Sequence, residues 1–550
     1  MNLTFSFILG LPGQGMLLHL DGLSLFFGVV LLPQIIASAL AGMRRSLAFW
    51  LFVIGLVLTL LAADGFALLF GIGLLGAGAG CLSARSGGKQ AASYPILMVF
   101  VLACLLPGSL LPSGSLAFLL FAFGIAALAG LLPCHGWVPR LYAALPPAMS
   151  ALMSGAVINI AFYCLLRFAF VTEAATLQGW WGVAVLVLGA FSLLLAAIKA
   201  ALAIDLLDLL AWASIASAGL IAMSIGVALL AKFIGDQSVS GLALQAVLLM
   251  ILAHGLCRPL LLIGAGEILR STGTSSINWL GGLMRGMPRL GGLMLLGAAG
   301  LSALPLGPAF APVFLLLHAL VEIAAGDNVT LHLFCAFLLA ICGVGLTLLL
   351  LAMVKMIGLA FLGRPRSLQA AAGEDVQHGP LLGMAVLGLL LIPLALLPGF
   401  VLFLSKPVIA LLAPAAQEAK LAYPALTLFA LAGGALLLLL VVKMRWGVQS
   451  QRETPDWNGG FGSPPAWLPF GDPHTQISAS GLSETLNKVL GLAERFNLVA
   501  ARPLPRLQRL YLRLVSLVQV ADALAPRLWL GVMFTALLLA LLFFVWWQGG

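Results

Sequence analysis

From Leu23 onward the chain runs through one apolar stretch after another, each about as long as a bilayer is thick. Water is the wrong solvent for such a pattern, and lipid narrows the options sharply. Every backbone N–H and C=O in hydrocarbon must be satisfied internally, which leaves helices or a closed barrel. The strand-length alternation of a barrel is missing, so helices remain. Composition agrees: 62% of the 550 residues are hydrophobic and only 8% are charged. The expectation is an all-α polytopic membrane protein of about 14–16 transmembrane helices at roughly 20 residues each.

The spans read as 23–42, 47–62, 65–82, 93–112, 115–132, 147–170, 180–202, 209–232, 241–264, 289–307, 310–326, 333–362, 381–404 and 422–443, with a last one near 528–547. Arg44 and Arg45 close the first, and Arg85 and Lys89 follow two spans later. Basic loops two crossings apart fit the positive-inside rule with both in the cytoplasm. Parity does not close between 289 and 362, where Pro305, Pro308 and Pro312 predict a broken helix. The N-terminus, MNLTFSFILGLPGQG, lacks a basic region and a small-residue cleavage site. It reads as a truncated first helix. Seven cysteines, mostly within apolar runs and without paired spacing, read as small core residues. The net charge of +9 fits basic loops and a basic tail, not nucleic-acid binding.

Residues 447–480 are rich in Gly, Pro and Ser and form a polar loop. After it, Leu482, Leu486, Val489, Ala493 and Phe496 recur at helical spacing, an amphipathic helix. Arg502, Arg506, Arg509 and Arg513 follow among leucines, suited to an anionic leaflet or a partner, and Trp546 and Trp547 suit the membrane interface.

Charges inside the apolar runs are the functional signal, because each costs about 2.5–3.5 kcal/mol to insert. His254 and Arg258 stand four residues apart and share a helix face, and Lys355 lies within a second long run. His318 and Glu322 share another face; Lys199, Asp205 and Asp208 cluster near one span boundary. The bland alternative holds for each: a snorkelling lysine, an interface-facing pair, or charges satisfied by carbonyls and water. His135 in CHGWVP reads as a loop cap, and the glycines of GIGLLGAGAG (71–80) as close helix packing, since no strand precedes them. Neither a nucleotide loop nor a nucleophile beside a base is present, so no independent active site is expected.

LLPCHGWVPRLYAALPPAMSALMSG (131–155), HGLCRPLLLIGAGEIL (254–269), INWLGGLMRGMPRLGGLM (277–294) and VKMIGLAFLGRPRS (354–367) occur in that order. Together they resemble the antiporter-like membrane subunits shared by respiratory complex I, Mrp-type cation/proton antiporters and membrane-bound hydrogenases. The likeness covers roughly residues 19–547. FLGRPRS and the tail DWNGGFG…HTQISASGLSETLNKVL (456–490) point to the branch of the large membrane subunit of formate hydrogenlyase and hydrogenase-four component B.

The resemblance implies two inverted five-helix repeats containing broken helices, no redox cofactor, and proton movement along buried carboxylates, lysines and histidines. It divides the chain into N-terminal helices (1–62), a first repeat with a degenerate ion path (63–212), a second repeat (213–404), a further transmembrane region (405–446), a polar loop with an amphipathic lateral segment (447–527) and a final anchor (528–550). In the first repeat the ionisable positions are replaced: Leu74 stands near an expected carboxylate, and Leu128 and Asn159 where lysines are expected. Asp205-Leu-Leu-Asp208 retains part of another motif. The second repeat keeps His254, has Arg258 in place of a lysine, and keeps Lys355 as the terminal group that releases protons outside.

The expected function is a proton-translocating membrane subunit of a hydrogenase or complex I-like oxidoreductase in a prokaryotic inner membrane. Its partners would be other membrane subunits, soluble redox subunits and lipid. The alternatives are a non-pumping scaffold of such a complex and a cation/proton antiporter subunit.

Overall fold

The computed structural model describes residues 3–11, 14–85, 93–110, 114–172, 178–305, 307–326, 328–414 and 477–490, with isolated positions at 428, 431–433, 435 and 439. The first element corrects an expectation. Residues before Asp21 form an antiparallel hairpin, β1 (Leu3–Leu11) and β2 (Gln14–Leu20), paired from Leu3↔Leu20 to Leu11↔Gln14. The stretch Thr4-Phe5-Ser6-Phe7 alternates with period two and Pro12-Gly13 is a turn dipeptide, so the local signals favour strands over a helical turn.

The helices are α1 (Gly22–Leu40), α2 (Leu47–Leu61), α3 (Gly65–Arg85), α4 (Ser93–Leu110), α5 (Ser115–Leu128), α6 (Trp137–Ala144), α7 (Pro147–Thr172), α8 (Gly179–Leu202), α9 (Leu206–Phe233), α10 (Gln237–Thr272), α11 (Pro288–Leu301), α12 (Phe310–Ala324), α13 (Val329–Phe361), α14 (His378–Leu396), α15 (Pro398–Leu412) and α16 (Ala479–Leu490). Among the described residues eight are long and apolar enough to cross a membrane, and five shorter apolar helices accompany them. α7, α9 and α10 form the core: their most apolar windows are 100%, 100% and 94% buried. α3 closes on α2 through small residues, since a Cβ at Gly71 would fall 2.7 Å from the Thr59 nitrogen and one at Gly78 2.6 Å from that of Phe52.

Loop contacts sort the helix ends into two sets. At one end the Ser38 hydroxyl donates to Ala148 O, Leu206 N to Ser275 O, Gly282 N to Leu362 O, and the Asp375 carboxylate accepts from the Arg289 and Leu290 amides. Arg44, Arg270, Arg285, Arg289, Arg364 and Arg366 lie in or beside these loops. At the opposite end Asp21 meets Arg167, Ser24 donates to Leu60 O, and Ser115 to Gln178. The first set of loops is therefore the basic end of the bundle.

This sorting closes the parity left open by the sequence. The intervals 289–307 and 310–326, expected as two spans, are α11 and α12, two short segments of one broken crossing with the prolines between them. α13 then returns to the basic end. Likewise α5 and α6 make one broken crossing. Five crossings run from 47 to 172 and five from 179 to 361, in opposite senses, each set with its fourth crossing broken. The single span expected at 381–404 is two helices, α14 and α15, meeting at Leu397 with Pro398 opening the second. Of the tail, α16 is seen with the Ala479 amide donating to Asn278 Oδ1 at 2.7 Å. The span at 422–443 is described only at isolated positions; the arginine-rich stretch 502–513 and the last span lie outside the described residues.

Candidate functional site

α10 carries His254 at its midpoint and Arg258 one turn nearer the basic end; their exposures are 0% and 1%. The shared face is realised through the backbone: Arg258 Nε donates to the His254 carbonyl at 2.9 Å. Its Nη2 donates to Asn159 Oδ1 at 3.2 Å, from the middle of α7. Two glycines allow this approach. A Cβ at Gly255 would lie 2.4 Å from Asn159 Nδ2, and one at Gly155 2.5 Å from Gln34 Oε1 on α1. The Tyr142 hydroxyl lies beside Ser154 and Ser214 and near the Arg258 charge, without closing a hydrogen bond, while the two serine hydroxyls are 3.1 Å apart.

Among the described residues, the buried atoms Gln34 Nε2 and Oε1, Tyr142 Oη, His254 Nδ1 and Nε2, and Arg258 Nη1 have no protein partner. A buried polar group in that state costs about 1–3 kcal/mol unless water reaches it. Arg258 has no carboxylate partner among the described residues. The cluster is a mid-membrane polar seam on α1, α6, α7, α9 and α10.

Lys355, 1% exposed, is apart from this seam. Its Nζ donates to Ala201 O at 2.5 Å, in the last turn of α8, and to the C-cap Ala203 O at 2.6 Å. It therefore caps a helix C-terminus, where a cation meets the dipole favourably. This position is at the basic end of α13. Asp205 caps the N-terminus of α9 through Leu207 N (2.9 Å) and Asp208 N (3.2 Å) and accepts from the Ser275 hydroxyl. Asp208 is half-buried, and Lys199 is exposed at the end of α8. His135 lies between α5 and α6, where its Nδ1 is 3.2 Å from Pro133 O and its ring lies 5.2 Å from that of Trp212. His318 Nε2 and Glu322 Oε1 are 3.2 Å apart with side chains 39% and 41% exposed, on the outer face of α12. They do not reach the seam.

A second cluster was not anticipated. Arg167 Nη2 lies 2.6 Å from Asp21 Oδ2 and 3.1 Å from Ser24 Oγ, and the Tyr163 hydroxyl donates to Leu60 O at 2.5 Å. Burial pushes the Asp21 carboxyl up, but the Ser24 amide and the Arg167 charge outweigh it and hold it below the usual carboxylate range. Gln34, Tyr142 and Ser214 were also not anticipated; each is a lone polar residue in an apolar run. Among the described residues no group of three metal-ligating side chains occurs.

The family model described as NADH:quinone oxidoreductase/Mrp antiporter, transmembrane, matches residues 19–340, more than half of the chain. The chain belongs to that family. It is 33% identical over 283 residues to hydrogenase-4 component B of Escherichia coli K12, covering 51% of this chain and 42% of the relative. It is 31% identical over 275 residues to formate hydrogenlyase subunit 3 of the same organism, covering 50% and 44%. Less than half the length of these two relatives is therefore matched. A chain of the Mrp complex from Dietzia sp. DQ12-45-1b superposes with a TM-score of 0.64 at 19% identity, covering 78% of this chain and 89% of that one, a likeness of fold. The antiporter-like family member is thus a multi-pass membrane protein.

Proposed function

We propose that this chain is a proton-translocating subunit of a membrane-bound hydrogenase or complex I-like assembly of a prokaryotic inner membrane, driven by redox subunits it does not contain. The observation carrying this reading is the seam of buried, unpartnered polar atoms around His254 and Arg258 at mid-membrane. Such groups admit water, and water between fixed donors and acceptors conducts protons. In this reading Arg258, which stays charged, orients the chain of waters and tunes its neighbours, while His254 is the group able to take and give a proton. Similarity to hydrogenase-4 component B and formate hydrogenlyase subunit 3 supports the kind of assembly.

A second reading, a scaffold that moves no protons, is favoured by one observation: Lys355 is held by two backbone carbonyls and makes no hydrogen bond toward the seam. The test is His254→Leu in the intact assembly reconstituted in liposomes, with electron transfer and lumen acidification recorded together. Proton pumping predicts loss of acidification with the complex still assembled; unchanged acidification per electron leaves the scaffold.

A further inference from the structure

The loops at the basic end enclose a pocket of about 420 Å³, outside the seam, lined by Thr272, Thr274, Trp279, Arg366, Ser367 and Gln369. Arg366 is 8% exposed and has no hydrogen-bond or ion-pair partner among the described residues. No carboxylate lines the pocket. Of the acids on the neighbouring loops, Glu267 pairs with Arg270, Asp375 caps α11, and Asp205 accepts from the Ser275 hydroxyl. A half-buried guanidinium without a counter-charge is held at a cost, and burial lowers its pKa. An anion would relieve both.

The geometry is set before any ligand arrives. The stem of Arg366 lies against Gly281, where a Cβ would come within 3.0 Å of its Cγ and 2.5 Å of the Arg364 carbonyl. Ser367 is fixed by donating to Trp279 O at 2.8 Å. Thr274 Oγ1 accepts from Ser276 N at 3.2 Å, which leaves its own proton to donate. The Gln369 amide is exposed at the rim, beside the 49% exposed Trp279 ring. A planar five-donor fork flanked by a hydroxyl and an amide matches tetrahedral phosphate. Trp279 at the rim matches the headgroup level of a leaflet.

We propose that this pocket binds a phosphate-bearing anion, with Arg366 supplying the charge and Thr274 a hydroxyl donor. The purified full chain in neutral detergent is titrated with dihexanoyl phosphatidylglycerol, dihexanoyl phosphatidylcholine and inorganic phosphate, and binding is followed by native mass spectrometry and thermal midpoint. Saturable binding is expected, weakened about tenfold or more by Arg366→Gln, while Arg289→Gln, an exposed charge in the same loops, changes it less than about twofold. Dependence on Arg366 for the lipids alone assigns a headgroup; the same dependence for inorganic phosphate assigns a soluble ligand. Absence of saturable binding for all three probes, or equal losses in the two arginine variants, overturns the proposal. Should Arg366→Gln fail to fold on size exclusion, Thr274→Val decides, since it keeps the charge and removes one donor; unchanged affinity there also overturns it.

Discussion

The two five-crossing sets, 47–172 and 179–361, share a topology and differ in what they bury. The second places His254, Arg258 and Lys355 inside, each at most 1% exposed. In the first, the fully buried polar side chains are neutral, among them Thr59, Ser150, Ser154 and Asn159, and Arg167 sits near the membrane surface paired with Asp21. The first set keeps its shape because small residues and interdigitated apolar side chains hold it, and those need no charge. It has not become irrelevant to the site. Asn159, Ser154 and Tyr142 form the neutral wall against which Arg258 packs. A set without buried charge serves here as the wall for the one that has it.

Four experiments would break or sharpen that contrast. Arg258→Ala should have the largest effect: with its fork gone, acidification by the reconstituted assembly should fall to background while Arg258→Lys retains a part, as measured by a trapped pH dye. A wild-type rate in Arg258→Ala would mean that the second set is as silent as the first.

Next comes Asp21→Asn at the opposite end, which strips Arg167 of its counter-charge and should cost about 3–5 kcal/mol in thermal or denaturant unfolding. The pH sign follows from the lowered carboxyl. Its contribution is complete above the unfolded-state pKa and is lost as pH falls through the folded one, so wild type should lose its advantage in acid. An acid limb of the same steepness in the variant would detach this pair from stability.

Gly255→Ala should cost about 1–3 kcal/mol by forcing Asn159 off the seam. Acidification should fall with it. If stability alone moves, Asn159 is packing and not part of the path. The smallest effect belongs to Glu322→Gln on the outer face of α12. Its half-exposed pair with His318 should be worth at most about 1 kcal/mol. Proton movement should stay within about twofold, and a loss near tenfold would put that face on a path.

Legibility of the site followed sequence separation. His254 and Arg258 were readable because four residues is a fixed geometric relation within one helix. Lys355 was readable as a buried cation, but its partners were not, since the Ala201 and Ala203 carbonyls are anonymous in a sequence. Gln34, Tyr142 and Ser214 gave no signal at all. Single polar residues in apolar runs are common, and only packing brings α1, α6, α9 and α10 together. The β-hairpin is masked in the sequence because an apolar N-terminal run beside many helices resembles them in hydropathy, although Thr4-Phe5-Ser6-Phe7 alternates.

Hydropathy by itself determined the solvent, the helical class and most span positions, because transfer of backbone to lipid leaves so few alternatives. The ordered motifs determined the family, and the family match agrees. Tertiary structure decided how the crossings count, since whether two short apolar helices are two spans or one interrupted span depends on where their ends lie. It also decided which polar groups share a wall, because contact between residues a hundred positions apart depends on how several helices pack at once and is not encoded in any one segment.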